Sequence, residues 1–225
     1  MKVTLHNGDA SETKDVSVSK AIVAGWTGRD RAALEKHIKE LEELGVARPA
    51  STPIYYRVSA ARITTSPVIE TTGEASSGEV EFVLAQWGGD MWVGVGSDHT
   101  DRQVETYNVT VSKQMCEKPV AAEYWRYADV APHWDQIVMR SWIQENGARV
   151  LYQEGSVAAM LDPMTLIEGY EGNKALAEGA LMFCGTFAAK GGIRPADDFE
   201  FEIHDPVLGR TIRHMYRLEK LPVLG

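Results

Sequence analysis

Residues 78–98, GEVEFVLAQWGGDMWVGVGSD, leave the backbone little choice. Both halves are rich in β-branched and aromatic residues, a glycine precedes the first, and Gly88-Gly89 separates them, which is the composition of two strands joined by a tight turn. Side chains alternate along a strand, so Glu79 and Glu81 share one face about 7 Å apart, while Val80 and Phe82 point the other way. Two carboxylates that close repel unless a proton or a cation lies between them. If the second strand pairs with the first, Asp98 returns to the end where Glu79 begins. Three carboxylates around one point make a hard, all-oxygen site suited to Mg²⁺ or Mn²⁺. The plainer reading is the wet face of an edge strand, where acid at every second position is common. Asp98 alone also reads as an Asx-turn residue.

The order Glu79-x-Glu81, then Asp98-x-x-x-Arg102, then Lys113 resembles the fumarylacetoacetate hydrolase superfamily. Further pieces follow in that family's order: Asn146-Gly147, Gln153 and Met160, then Gly179 with Cys184-Gly185-Thr186, then DDFEFEIHDPVLG at 197–209. The resemblance implies that Glu79, Glu81 and Asp98 hold a divalent metal and that Lys113 stabilises a developing enolate. It gives Thr186 a hydrogen bond to the substrate and Arg102 a substrate carboxylate or enolate oxygen, which a planar fork fits. Arg57 is a further candidate for a carboxylate contact. Family members that hydrolyse or decarboxylate bring in a His-Glu pair from an N-terminal lid. His37 and Glu40, three apart on a predicted helix and so able to meet, occupy that role here, with His99 beside Asp98 as an alternative base.

This chain also departs from the pattern. Asp98 and Lys113 are closer together than is usual, Glu105 rather than Gln103 stands nearest the family glutamine, and Phe187 replaces the proline after the threonine. Each candidate has a plainer role as well. Lys113 serves as an anti-aggregation charge on a strand edge, and Arg102 as a surface ion pair with Asp98 or Asp101. Thr186 reads as a turn hydroxyl, and His37 and Glu40 as the solvent face of an ordinary helix.

The rest of the chain limits the partners. Its 225 residues are 44% hydrophobic, enough for a substantial core, and 23 basic against 32 acidic residues give a formal charge of −9 with no basic run. Nucleic acid and anionic membranes, which need clustered Lys and Arg, are therefore not expected. Cys116 and Cys184 read as reduced thiols, the N-terminus lacks the apolar core of a signal peptide, and no run is long enough to span a bilayer. A cytoplasmic protein is expected, with a small carbonyl or carboxylate compound as its partner. The resemblance adds a homodimer.

Along the chain, Asp30 followed by Leu34, Ile38, Leu41 and Leu44 predicts a helix capped by Gly45. Strands are expected at 2–6, 16–26, 54–60, 180–184, 199–204 and 211–218, with a hairpin at Asn146-Gly147 and a helix at 156–167. Residues 119–134 are ambiguous: AAEYWRYADV is compatible with a helix, which Pro132-His133-Trp134 would end. Residues 1–50 read as a strand–helix segment packed on a catalytic unit at 51–225. The expected fold is α+β, a strand-rich mixed roll or sandwich of the fumarylacetoacetate hydrolase C-terminal-domain type. The expected activity is metal-dependent hydrolysis of a carbon–carbon bond in a 1,3-dicarbonyl or acylpyruvate. The alternatives are a lyase or isomerase acting on a 2-oxo acid, or a non-catalytic small-molecule binder.

Overall fold

The structure, a computed structural model, describes residues 1–43 and 48–224, apart from the side chains of His37, Glu40 and Leu41. Two sheets carry the fold. The larger has eight strands in the order Ala10–Asp15, Lys2–Asn7, Glu123–Arg126, Asp90–Ser97, Val80–Trp87, Ala180–Phe183, Lys20–Gly25 and Ile54–Val58. The smaller has five, in the order Ala148–Ser156, Val138–Glu145, Asp198–Asp205, Arg210–Leu221 and Val68–Thr72. Val80, Phe82 and Leu84 from the first face Phe199, Phe201, Ile203 and Tyr216 from the second in one apolar core.

The alternate residues Val83 and Ala85 enter a second core on the other face of the large sheet, shared with Val3, Leu5 and Val58. This explains why 80–87 is apolar on both faces, as a strand covered from both sides requires. Gly94 is part of the same packing, since a Cβ there would lie 2.5 Å from the Tyr124 ring. The expected α+β roll is what the chain forms.

The hairpins are where the turn chemistry puts them. Gly88 and Gly89 both have positive φ, as do Asn146 and Gly147, the backbone a tight two-residue turn demands. The helix Arg31–Glu43 starts at Asp30, whose Oδ1 accepts from the Ala32 and Ala33 N–H groups at 2.9 and 3.0 Å. The cap expected at Gly45, with Leu44 and Val46, lies outside the described residues.

Other segments differ from the sequence reading. Pro163 has no N–H to give a preceding turn, so the helix expected at 156–167 forms instead as Pro163–Glu171, with Asp162 capping it and Gly172 (φ 72°) ending it. The ambiguous stretch divides into the strand Glu123–Arg126, a turn of helix Tyr127–Val130 and the 3₁₀ segment Ala131–Gln136. Lys113 lies on the helix Val109–Met115, not on a strand edge. Residues 1–50 add three strands to the large sheet itself. No helix among the described residues is long and apolar enough to cross a membrane.

Candidate metal centre

The hairpin register builds the site. Val80 pairs with Ser97 and Glu81 with Gly96, and just beyond them the Asp98 N–H donates to the Glu79 carbonyl at 3.0 Å. Glu79, Glu81 and Asp98 each offer a carboxylate oxygen here, all within 4.8 Å of one another. Glu81 and Asp98 are buried and Glu79 is half-buried. Glu81 Oε2 accepts from the Gly185 N–H at 2.7 Å. Gly185 has φ 104°, and any side chain there would collide with Thr27 Oγ1.

Three cations surround the carboxylates. Lys113 Nζ lies 2.5 Å from Asp98 Oδ2, and Lys118 Nζ lies 3.2 Å from Asp98 Oδ1. Lys118 also donates to the His99 carbonyl at 2.5 Å. Arg102 reaches Glu79 at 3.2 Å and Glu105 at 2.8 Å, and its Nε donates to Ser77 Oγ at 2.7 Å. Its expected surface pairing with Asp98 or Asp101 is replaced by these contacts.

Burial by itself would raise the pKa of Asp98, but the two ammoniums outweigh it and hold the carboxyl at about 2. Glu81 goes the other way: burial and the Asp98 charge push it well above the usual carboxylate range, despite the Gly185 N–H and Lys113. Lys113 is stabilised as an ammonium, because Asp98, Glu79 and Glu81 outweigh its burial.

His99 is buried behind Asp98. Burial, with help from Lys118 and Arg102, lowers its pKa to about 3, so the ring is neutral at pH 7. Its Nδ1 lies 2.8 Å from the Tyr216 hydroxyl, which in turn lies 2.9 Å from Ser97 Oγ. Its Nε2 finds no hydrogen-bond partner among the described residues.

Thr186 Oγ1 donates to the Val80 carbonyl at 2.7 Å and accepts from Gln153 Nε2 at 2.8 Å. Gln153 Oε1 accepts from the Val80 N–H at 2.9 Å. This pair therefore grips the residue between the two glutamates. Arg57 is exposed and donates to the Ala21 carbonyl at 3.2 Å, so the fold does not bring it to the trio. His37 and Glu40 lie on the helix Arg31–Glu43, and their side chains lie outside the described residues.

Sequence reasoning missed two residues. Tyr56 has its ring 5.9 Å from Lys113 Nζ; its position directly after Tyr55 in a predicted strand gave no hint of this. Lys118, wholly buried, carries no motif. Its one signal is a lysine set directly before the apolar run PVAA.

The residues present fit a small divalent cation. All three donors are hard oxygens, and Asp98 Oδ1 is buried without a hydrogen bond among the described residues. Burial and the Asp98 charge favour the protonated form of Glu81, and metal binding releases such a proton. Oxygens bound at about 2.0–2.1 Å from Mg²⁺ lie at most about 4.2 Å apart, so the trio, with its oxygens within 4.8 Å of one another, has to draw in by no more than a few tenths of an ångström to hold one.

The family model described as "Protein of unknown function (DUF2848)" matches residues 24–216. No curated protein matches the chain in sequence. Several solved structures share its fold. Cg1458 superposes with a TM-score of 0.65 at 13% identity, covering 95% of this chain and 83% of that one. A hexagonal form of 2-keto-3-deoxyarabinonate dehydratase gives 0.66 at 14%, covering 94% and 77%. The 2-keto-3-deoxy-D-arabinonate dehydratase complexed with magnesium and 2,5-dioxopentanoate gives 0.64 at 14%, covering 96% and 78%. The chain thus shares the fold of these structures.

Proposed function

Because the chain belongs to the DUF2848 family and carries this fold, we propose that it is a divalent-metal-dependent lyase acting on a small 2-oxo acid. The observation that carries the proposal is the buried trio Glu79, Glu81 and Asp98, with its ligand oxygens within 4.8 Å of one another. The lyase reading, rather than hydrolysis, draws support from the dehydratases that share the fold. Fold alone does not choose a reaction, so the charge balance is the second support. Glu79, Glu81, Asp98 and Glu105 face Arg102, Lys113 and Lys118, leaving the ionised cluster one positive charge short. A divalent ion reverses that sign and leaves room for one negative charge, which a monoanionic 2-oxo acid supplies.

When bound, Mg²⁺ or Mn²⁺ supplies a Lewis acid that polarises the substrate carbonyl. Glu79, Glu81 and Asp98 would hold it. Lys113, beside Asp98, would be a fixed cation in a water-poor site, able to stabilise negative charge developing on a substrate oxygen. Arg102 Nε and Nη1 donate to Ser77 and Glu105, while its buried Nη2, 3.2 Å from Glu79, has no hydrogen-bond partner among the described residues, so we assign Arg102 to orienting Glu79, with Nη2 still able to meet a substrate oxygen. Thr186 donates to the Val80 carbonyl, which favours a supporting role for it too.

The test is metal analysis of the purified protein coupled to a screen of 3-deoxy-2-oxo acids, oxaloacetate and acylpyruvates. Metal-dependent dehydration or decarboxylation is the expected result. Cleavage of acylpyruvates alone would return the hydrolase reading. Failure to take up either metal would end the proposal.

A further inference from the structure

Asp98 faces two lysines, one on each oxygen, and they are not equivalent: burial lowers the pKa of Lys118 although Asp98 opposes it. Both are buried: Lys113 on its helix keeps 9% of its side chain exposed, and Lys118 none. Its backbone is fixed as well: Lys118–Pro119 pairs in parallel with Ile63–Thr64, and the next N–H, of Val120, donates to the Thr64 carbonyl at 2.8 Å. Enclosed as it is, its ammonium faces Asp98 Oδ1 at 3.2 Å and the His99 carbonyl at 2.5 Å. Lys118 acts through Asp98 and through the His99 carbonyl it donates to.

Its two effects on a cation at the trio oppose each other. By gripping Asp98 it helps keep a ligand in place. By adding positive charge beside that ligand it repels an incoming divalent ion. Lys113 already grips the other oxygen at 2.5 Å, so the first effect is redundant. The second is not, because like charges this close in a dry interior repel strongly. Repulsion therefore wins.

Building on the reading of the trio as a metal site, we propose that Lys118 is a positioning residue that keeps cation affinity low until an anionic 2-oxo acid binds alongside, so that metal and substrate are taken up cooperatively. The added negative charge offsets what Lys118 contributes. By linkage each ligand then tightens the other by the same factor.

The test is calorimetric titration of the intact protein with Mn²⁺, with and without oxalate, a non-reacting anion that presents two adjacent carboxylates. In the unaltered protein oxalate is expected to tighten Mn²⁺ binding about tenfold or more. Lys118→Gln, which keeps an N–H for the His99 carbonyl but not the charge, is expected to tighten Mn²⁺ binding about tenfold without oxalate and to shrink the oxalate effect to about threefold or less. Lys118→Met, read beside it, checks that loss of charge rather than the new amide is responsible. A folded Lys118→Gln protein that binds Mn²⁺ no more tightly, or that responds to oxalate as before, overturns the proposal. If neither variant folds, the unaltered protein decides, and a Mn²⁺ affinity indifferent to oxalate overturns it. No Mn²⁺ uptake under either condition, or a Glu81→Gln protein that binds as before, counts instead against the metal reading beneath it.

Discussion

Replacing Glu81 by Gln preserves the side chain's shape and its acceptor for the Gly185 N–H while removing the anionic ligand. Metal uptake and turnover are expected to fall together, by about 100-fold or more in activity, with the fold intact by circular dichroism. Arg57→Ala, by contrast, should leave both unchanged, because that side chain lies on the surface away from the trio. The three acids were legible in the sequence because strand alternation and a two-glycine turn fix where they go. Lys118 was not, since a lone lysine acquires meaning only when the bridge to Ile63–Thr64 carries it under Asp98. His99 was legible as a neighbour of Asp98, but its bond to Tyr216, 117 residues away, was not.

A separate residue-scale effect concerns acid stability. Asp205 is buried, and although burial raises its pKa, the His133 side chain and the Val207 and Leu208 N–H groups prevail and depress it. A depressed carboxylate contributes stability above its unfolded pKa of about 3.9 and loses it as pH falls through the lower folded value. Asp205→Asn should therefore cost about 1–2 kcal/mol in urea unfolding at pH 7. The gap between the two proteins should narrow as pH falls below about 3.9.

Among elements, the Val80–Trp87 and Asp90–Ser97 hairpin is the most tightly specified. Gly94 has no room for a side chain beneath the Tyr124 ring, so Gly94→Ala is expected to cost about 1–3 kcal/mol by overpacking, measurable by denaturant unfolding. The same close approach explains the spacing of glycines in MWVGVG, which the sequence displayed without giving its reason. The strand Ala10–Asp15 is the opposite case. It reads ASETKD and is exposed at every position, so no apolar period marks it, and only its antiparallel partner Lys2–Asn7 gives it shape. The helix expected at 156–167 was misplaced because apolar period alone does not locate a start. Pro163 and the Asp162 cap do so.

For the whole molecule, a strand-rich α+β roll or sandwich was legible from the strand pattern together with the family resemblance, not from composition alone, and the way its layers close was not legible. Residues 1–50 look like an appendage in sequence, yet they supply the Lys2–Asn7 strand that pairs in parallel with Glu123–Arg126. Deleting residues 1–17 should uncover that strand's edge, and size-exclusion chromatography should show aggregation in place of a defined species. Ligand linkage also acts at this scale. Saturating Mn²⁺ at 100 times its dissociation constant should stabilise the fold by about 2.7 kcal/mol, seen as a rise in Tm that is absent in Glu81→Gln.

Gln153 belongs to the smaller sheet and Val80 to the larger, and the amide of one meets the backbone of the other at 2.9 Å. Val80 is the single residue between Glu79 and Glu81. The two layers are thus bolted together at the very rung from which both glutamates hang, and neither can slide along the other without spreading those side chains. The separation of the two carboxylates is in effect a gauge of how the halves of the molecule are seated.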